Sequence, residues 1–347
     1  MLHFSVHSEI FSSLCKRVKG AISRKDDQRY GRVKIVCAGG SLFIIGGESD
    51  YYTIISSGNV EIEEEGKVVV PAGKLFSIVG SGISGTIEVK SEGNSFTMKC
   101  GRSRFRLPAY GELAVGLPED LEVNGYLRCD DLTFKLGLCK KFVNNDHYPF
   151  AYLSDGHISS TDGLSAVKLP VVGELKEPCV LSKRGVSEVQ AALQAAAEGS
   201  HVWVGQDDAW TYLLADDQRI WVRKTSMSFP DLSQIFDKEI GNSFSVAVDE
   251  LKSVMKKVSS VIGGESILHM EQKGDTVQFR ALDSDGSTSW DALSVEPVGD
   301  IGKFRTSLEE FTRCLSSISS GVVLFEVGDR EVRFVTEFGT FVISKVA

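Results

Sequence analysis

Cations recur in this chain at equivalent places. They stand in Leu14-Cys15-Lys16-Arg17, Leu138-Cys139-Lys140-Lys141 and Val254-Met255-Lys256-Lys257, strings separated by 124 and then 116 residues. Lys19 and Arg24 extend the first group. Cations gathered on one surface hold phosphate groups through the local field, and they can do so although the formal net charge of the chain is -9. A single such string would describe an ordinary solvated helix face. Three in one register, on an acidic chain, predict a shared basic surface.

Other chemistry finds no support. Gly80-Ser81-Gly82-Ile83-Ser84-Gly85 matches a dinucleotide-binding pattern, but it follows a helical run and precedes a strand-like one. The pattern needs strand, turn and helix in that order to bring a helix N-terminus to the pyrophosphate, so a helix-to-strand loop is expected. Asp283-Ser284-Asp285-Gly286 resembles part of a calcium loop without its bidentate Glu and predicts a type I′ hairpin turn. The six histidines form no ligand cluster, and no nucleophile elbow is present, so neither catalysis, metal nor cofactor is expected. Seven cysteines fall singly and never as C-x-x-C, which suits reduced core thiols. No apolar stretch approaches a membrane span and Met1 to Gly20 holds no apolar leader block, so a cytoplasmic protein without membrane partners is expected.

The elements that must position the cations repeat as well. Ile10, Phe11, Leu14, Val18 and Ile22 share one face of a helix that begins near Ser8-Glu9, with Lys16 pointing away. Asp130-Asp131 and Asp249-Glu250 open the equivalent helices, the former less cleanly amphipathic because Phe134 and Leu138 stray from its stripe. Pro71, Ser182 and Thr306 stand 111 and 124 residues apart, each before a second helical run. Alternating strands separated by glycine turns fill the intervals. The prediction is an α+β chain of three tandem copies of one domain, residues 1–118, 119–238 and 239–347, with breaks near Gly116 to Asp120 and in Phe229 to Gly241.

The residues then resemble a known family, the bacterial DNA polymerase III beta subunit, a processivity sliding clamp. The similarity is densest in Val70-Pro71-Ala72-Gly73-Lys74-Leu75-Phe76-Ser77-Ile78-Val79 and Gly101-Arg102-Ser103-Arg104-Phe105-Arg106-Leu107. It extends through Thr161-Asp162-Gly163, Leu181-Ser182-Lys183-Arg184-Gly185-Val186 and Phe229-Pro230-Asp231. The chain departs from the family where Leu164-Ser165 replace a His-Arg pair, around His147-Tyr148-Pro149-Phe150, and in Phe341-Val342-Ile343-Ser344, which lacks the usual Met-Pro ending. The resemblance implies a head-to-tail homodimer that encircles duplex DNA without reading sequence and tethers a replicative polymerase. It places Lys74, Lys183 and Arg184 beside the recurrent cations on the pore. It implies a groove for short apolar peptides of the polymerase and clamp loader at Phe150, Thr161, Gly163, Leu164, Pro230, Ile235, Val342 and Ser344. A subunit seam is implied where Arg104, Phe105 and Leu107 meet the partner near Val261 and Ile262. The competing expectation is a repeated β-rich ligand- or carbohydrate-binding protein, monomeric and with one concave site.

Overall fold

Many alternating runs pair with the next across a short turn, as Arg32–Ala38 does with Ser41–Glu48. The computed structural model describes residues 1–22, 31–111, 122–143, 148–194, 196, 199–225, 227–260, 262, 266–283 and 285–346. One element order appears three times: strand, helix, three strands, then strand, helix and three strands again. Extra short elements at Glu61–Glu64, Gly173–Leu175 and Ser233–Phe236 interrupt it. The helices are α1 (Ser8–Lys19), α2 (Ala72–Gly80), α3 (Cys129–Cys139), α4 (Lys183–Leu193), α5 (Ser233–Phe236), α6 (Val248–Val258) and α7 (Leu308–Ser316). Two compact units divide the chain, one of Met1–Phe134 with Val172–Thr225, the other of Lys135–Val171 with Ser226–Ala347.

In the first unit, α1 and α2 pack side by side over the apolar faces of two antiparallel sheets. Phe11, Leu14, Cys15 and Val18 are buried while Lys16 and Lys19 are exposed, as the periodicity requires. Burying each large apolar side chain contributes about 2 kcal/mol. The helix begins at Ser8, which is buried as the first helical residue and acts as no cap; its N–H donates to Gly85 O at 2.8 Å. The glycine-rich segment behind that carbonyl joins α2 to the strand Thr86–Glu92, the loop the sequence predicts.

One sheet of this unit runs across two copies of the repeat. Tyr51–Ser57, the fourth strand of the first copy, pairs antiparallel with Gln218–Arg223, the last strand of the second, with Tyr52 opposite Trp221. Tyr52, Tyr212 and Trp221 pack together there. The other sheet ends on the strand Ser103–Pro108.

The second unit repeats this device. Ser165–Pro170 pairs with the C-terminal strand Gly339–Ser344, Ala166 opposite Val342. Its second sheet has the order Thr288–Ser294, Thr276–Leu282, Ile267–Lys273, Lys303–Ser307. The hairpin at Asp283 joins Leu282 to Thr288 and is longer than the two-residue turn expected: Asp283 N donates to Ser287 O at 3.0 Å and Gly286 N to Asp283 O at 3.1 Å. Ser284 lies outside the described residues. The weak amphipathicity of α3 also has a cause, because Lys135 is buried on it and donates Nζ to Pro170 O, whereas Phe134 is 47% exposed.

Candidate functional site

Most of the residues that the resemblance assigns to a peptide groove come together within the second unit, on a turn, a short helix and the C-terminal strand. Thr161, Gly163, Leu164, Ile235, Val342 and Ser344 line one cavity of about 660 Å³. The turn is built by side-chain oxygens. Thr161 Oγ1 donates to Ser165 O at 2.7 Å and accepts from Gly163 N at 3.0 Å. Asp162 Oδ1 accepts from Leu164 N at 3.0 Å and from Ser165 N at 2.7 Å. Gly163 adopts φ 93, and a Cβ there would stand 3.3 Å from the Tyr148 ring, so glycine fits where other residues would be strained. Together these bonds push Leu164 outward to 61% exposure at the cavity wall. Asp231 opens α5 opposite: its Oδ1 accepts from Ser233 N at 2.9 Å, and the Ser233 N–H and hydroxyl hold its carboxyl below the usual range. That turn presents Ile235.

Two implied groove residues lie elsewhere. Phe150 is wholly buried and packs on the Phe229 ring at 5.8 Å, so it belongs to the core beneath the strands. Pro230 lines a separate hollow with Tyr152, His157 and Phe236. Conversely, Ala166, Gln234, Lys238, Arg330 and Glu331 line the cavity although sequence reasoning missed them. The signal for the last was the hairpin register, which sets Glu331 opposite Ser344.

The recurrent cations divide into two kinds. Lys16, Lys19, Lys74, Lys140 and Lys256 are exposed and have no acidic partner among the described residues. Lys183 is half-buried at the start of α4. Arg17 instead grips Asp217 with both terminal nitrogens, at 2.6 and 2.7 Å, and Gln218 at 2.9 Å. Arg184 answers it from α4, bound to Glu48 and, at 3.0 Å, to Asp50. Each arginine thus ties a helix of one repeat to a hairpin of the other beside the Tyr51–Ser57 join. Their guanidiniums are already neutralised, which is not what a phosphate-facing set requires. Lys257 pairs with Asp291 at 2.9 Å. Lys141 donates to Ser316 O at 3.2 Å, and burial, with Lys252 nearby, pulls its ammonium below the ordinary value. Arg24 lies outside the described residues, as do Val261, His147 and the expected break at Gly116 to Asp120.

At the implied seam, Ser103–Pro108 is an edge strand whose Arg104 is exposed. Leu107 is buried and Phe105 half-buried against the first unit's own core. Ile262 is half-buried.

Residues 2–112 match the family described as DNA polymerase III beta subunit, N-terminal domain. No curated protein matches the chain by sequence. Solved structures with the same fold include Caulobacter crescentus pol III beta, 12% identical over 99% of this chain and 100% of that one, TM-score 0.89. The DNA polymerase sliding clamp of Bacillus subtilis is 13% identical over 100% of this chain and 99% of its own, TM-score 0.88. The Pseudomonas aeruginosa sliding clamp bound to griselimycin is 16% identical over 100% of this chain and 99% of its own, TM-score 0.85. Residues 2–112 thus match the N-terminal domain of the DNA polymerase III beta subunit family, and the whole chain has the sliding-clamp fold on a divergent sequence.

Proposed function

We propose that the chain is a non-catalytic DNA sliding clamp, a cytoplasmic homodimer of three-domain subunits divided at residues 1–118, 119–238 and 239–347. The observation that carries this reading is the pairing rule of the repeats. The fourth strand of one copy pairs with the last strand of the next at Tyr51–Ser57 with Gln218–Arg223, and again at Ser165–Pro170 with Gly339–Ser344. The same rule leaves one strand of each kind on a sheet edge, Thr288–Ser294 and Ser103–Pro108. A second copy supplies the missing partner for both, so two chains close by two identical seams and neither of these two edges is left bare. The seam then lies on Thr288–Ser294, which carries the 66% exposed Trp290, rather than on Ile262.

Inside such a ring, Lys16, Lys19, Lys74, Lys140, Lys183 and Lys256 hold phosphates by exchangeable contacts that read no sequence, which lets the clamp slide. The groove around Leu164, Ile235 and Val342 takes the short apolar peptide of a polymerase or loader. The deciding experiment loads the protein with a clamp loader onto nicked circular DNA and then linearises it. A clamp is retained on the circle and lost from the linear form; equal retention on both overturns the reading.

A further inference from the structure

Beside the groove, on the solvent face of the sheet Thr288–Ser294, Thr276–Leu282, Ile267–Lys273, Lys303–Ser307, lies a hollow of about 1030 Å³. Strand register places Arg280 directly opposite His269 and His269 directly opposite Arg305, a row of three groups able to carry positive charge. Two guanidiniums therefore flank one imidazole across three adjacent strands. The local acids do not neutralise it. Glu271 is held by Lys303 at 2.8 Å and Lys273 at 3.6 Å, and Asp329 by Lys238 at 3.2 Å. Neither Arg280 nor Arg305 has an acidic partner among the described residues, and both are exposed. Burial first, then Arg305 and Arg280, push the His269 imidazole below its ordinary pKa. Arg330 and Lys345 close the same hollow. It is continuous with the groove, because Asp329, Arg330 and Ser344 line both.

We infer that the hollow receives an acidic segment flanking the apolar anchor of the partner peptide, so that this clamp selects peptides whose Leu or Phe anchor is followed in space by Asp or Glu. The inference rests on the peptide-groove reading above. Its chemistry is charge complementarity: carboxylates reach the Arg280 and Arg305 guanidiniums, where paired N–H donors match two oxygens. On a chain of net charge -9 a local cationic hollow also raises the encounter rate of acidic tails.

The test uses fluorescein-labelled peptides with one Leu-Phe anchor, carrying Asp-Glu-Asp or Ser-Gly-Ser at either end. Anisotropy titrations are run on the full dimer, wild type and the Arg280→Ala, Arg305→Ala double variant. At low salt an acidic extension on one end is expected to tighten wild-type binding roughly fivefold, as two partly exposed ion pairs would, and the gain to fade at high salt. In the double variant the acidic peptide is expected to bind no better than the neutral one, which itself binds both proteins equally. No gain from the extension at either end, or a gain that survives in the variant, overturns the inference while leaving the groove intact. Failure of the neutral anchor to bind wild type indicts the groove itself, and the inference falls with it. Duplex DNA competing for Arg280 and Arg305 while acidic peptides do not would make the hollow a phosphate contact and overturn the inference as well.

Discussion

Asp162 connects fold and function within a single side chain. One oxygen fixes the turn that carries Leu164 outward, and the other binds the Arg313 guanidinium, which also pairs with Glu310 on α7. The same carboxylate therefore shapes the groove and ties the turn to a helix of the third repeat. Asp162→Ala is expected to cost about 2–3 kcal/mol, because two N–H donors and a half-buried guanidinium lose an acceptor. Denaturant titration reads that loss, and anchor-peptide affinity is expected to drop with it. Asp162→Asn, which keeps one acceptor oxygen, should fall between the two. The cysteines make a second point at this scale. All seven are buried, and burial pushes the Cys15, Cys139 and Cys179 thiols up to about 12. A thiol stays protonated and inert under those conditions. A chromogenic thiol reagent at pH 8 is expected to label none of the three in the native protein and all of them after denaturation; native labelling would contradict their burial.

Elements were legible in the sequence where one residue face meets one environment. The stripe on α1 and the cations opposite it followed from spacing alone, since an amphipathic helix on a sheet has no other way to bury Phe11, Leu14 and Val18. On α3 the stripe fails because Lys135 reaches a carbonyl far away in sequence, and no local pattern records such a partner. The groove divided in the same way. Leu164 and Ile235 could be placed by resemblance, but Phe150 sits under the sheet because Phe229 stacks on Tyr152 with centroids 5.0 Å apart and packs over it, a contact set by tertiary packing. Glu331 entered the groove through a hairpin register that composition does not encode. The element most exposed to test is α5, a single turn with no buried residue of its own. Ile235→Asp on it is expected to leave stability and dimer mass unchanged, while loss of an apolar contact worth about 2 kcal/mol weakens the anchor peptide more than tenfold. Equal affinity for both proteins would move the groove elsewhere.

For the whole molecule, the cations that looked alike in sequence have separate tasks, and one comparison of variants distinguishes them. Arg17 and Arg184 bind acids across a repeat join, whereas Lys16, Lys19, Lys74, Lys140 and Lys256 bind none among the described residues. Arg17→Ala is expected to cost about 1 kcal/mol, the scale of a partly exposed ion pair, and to lower the melting temperature without altering DNA retention. Replacing the five lysines by Glu is expected to do the reverse, because an exposed charge reversal buries nothing and leaves the cores and both joins as they are. Trp290→Glu separates the third property, closure: it places a charge on the edge strand proposed as the seam and is expected to shift the mass from near twice 37.8 kDa toward the monomer. A ring that binds phosphates without fixed partners requires the lysine variant to stay dimeric and folded yet fall off nicked circular DNA, with a shallower salt dependence of what binding remains. If that variant is retained on the circle like wild type, these lysines do not face DNA; if Trp290→Glu stays dimeric, the seam lies on another edge.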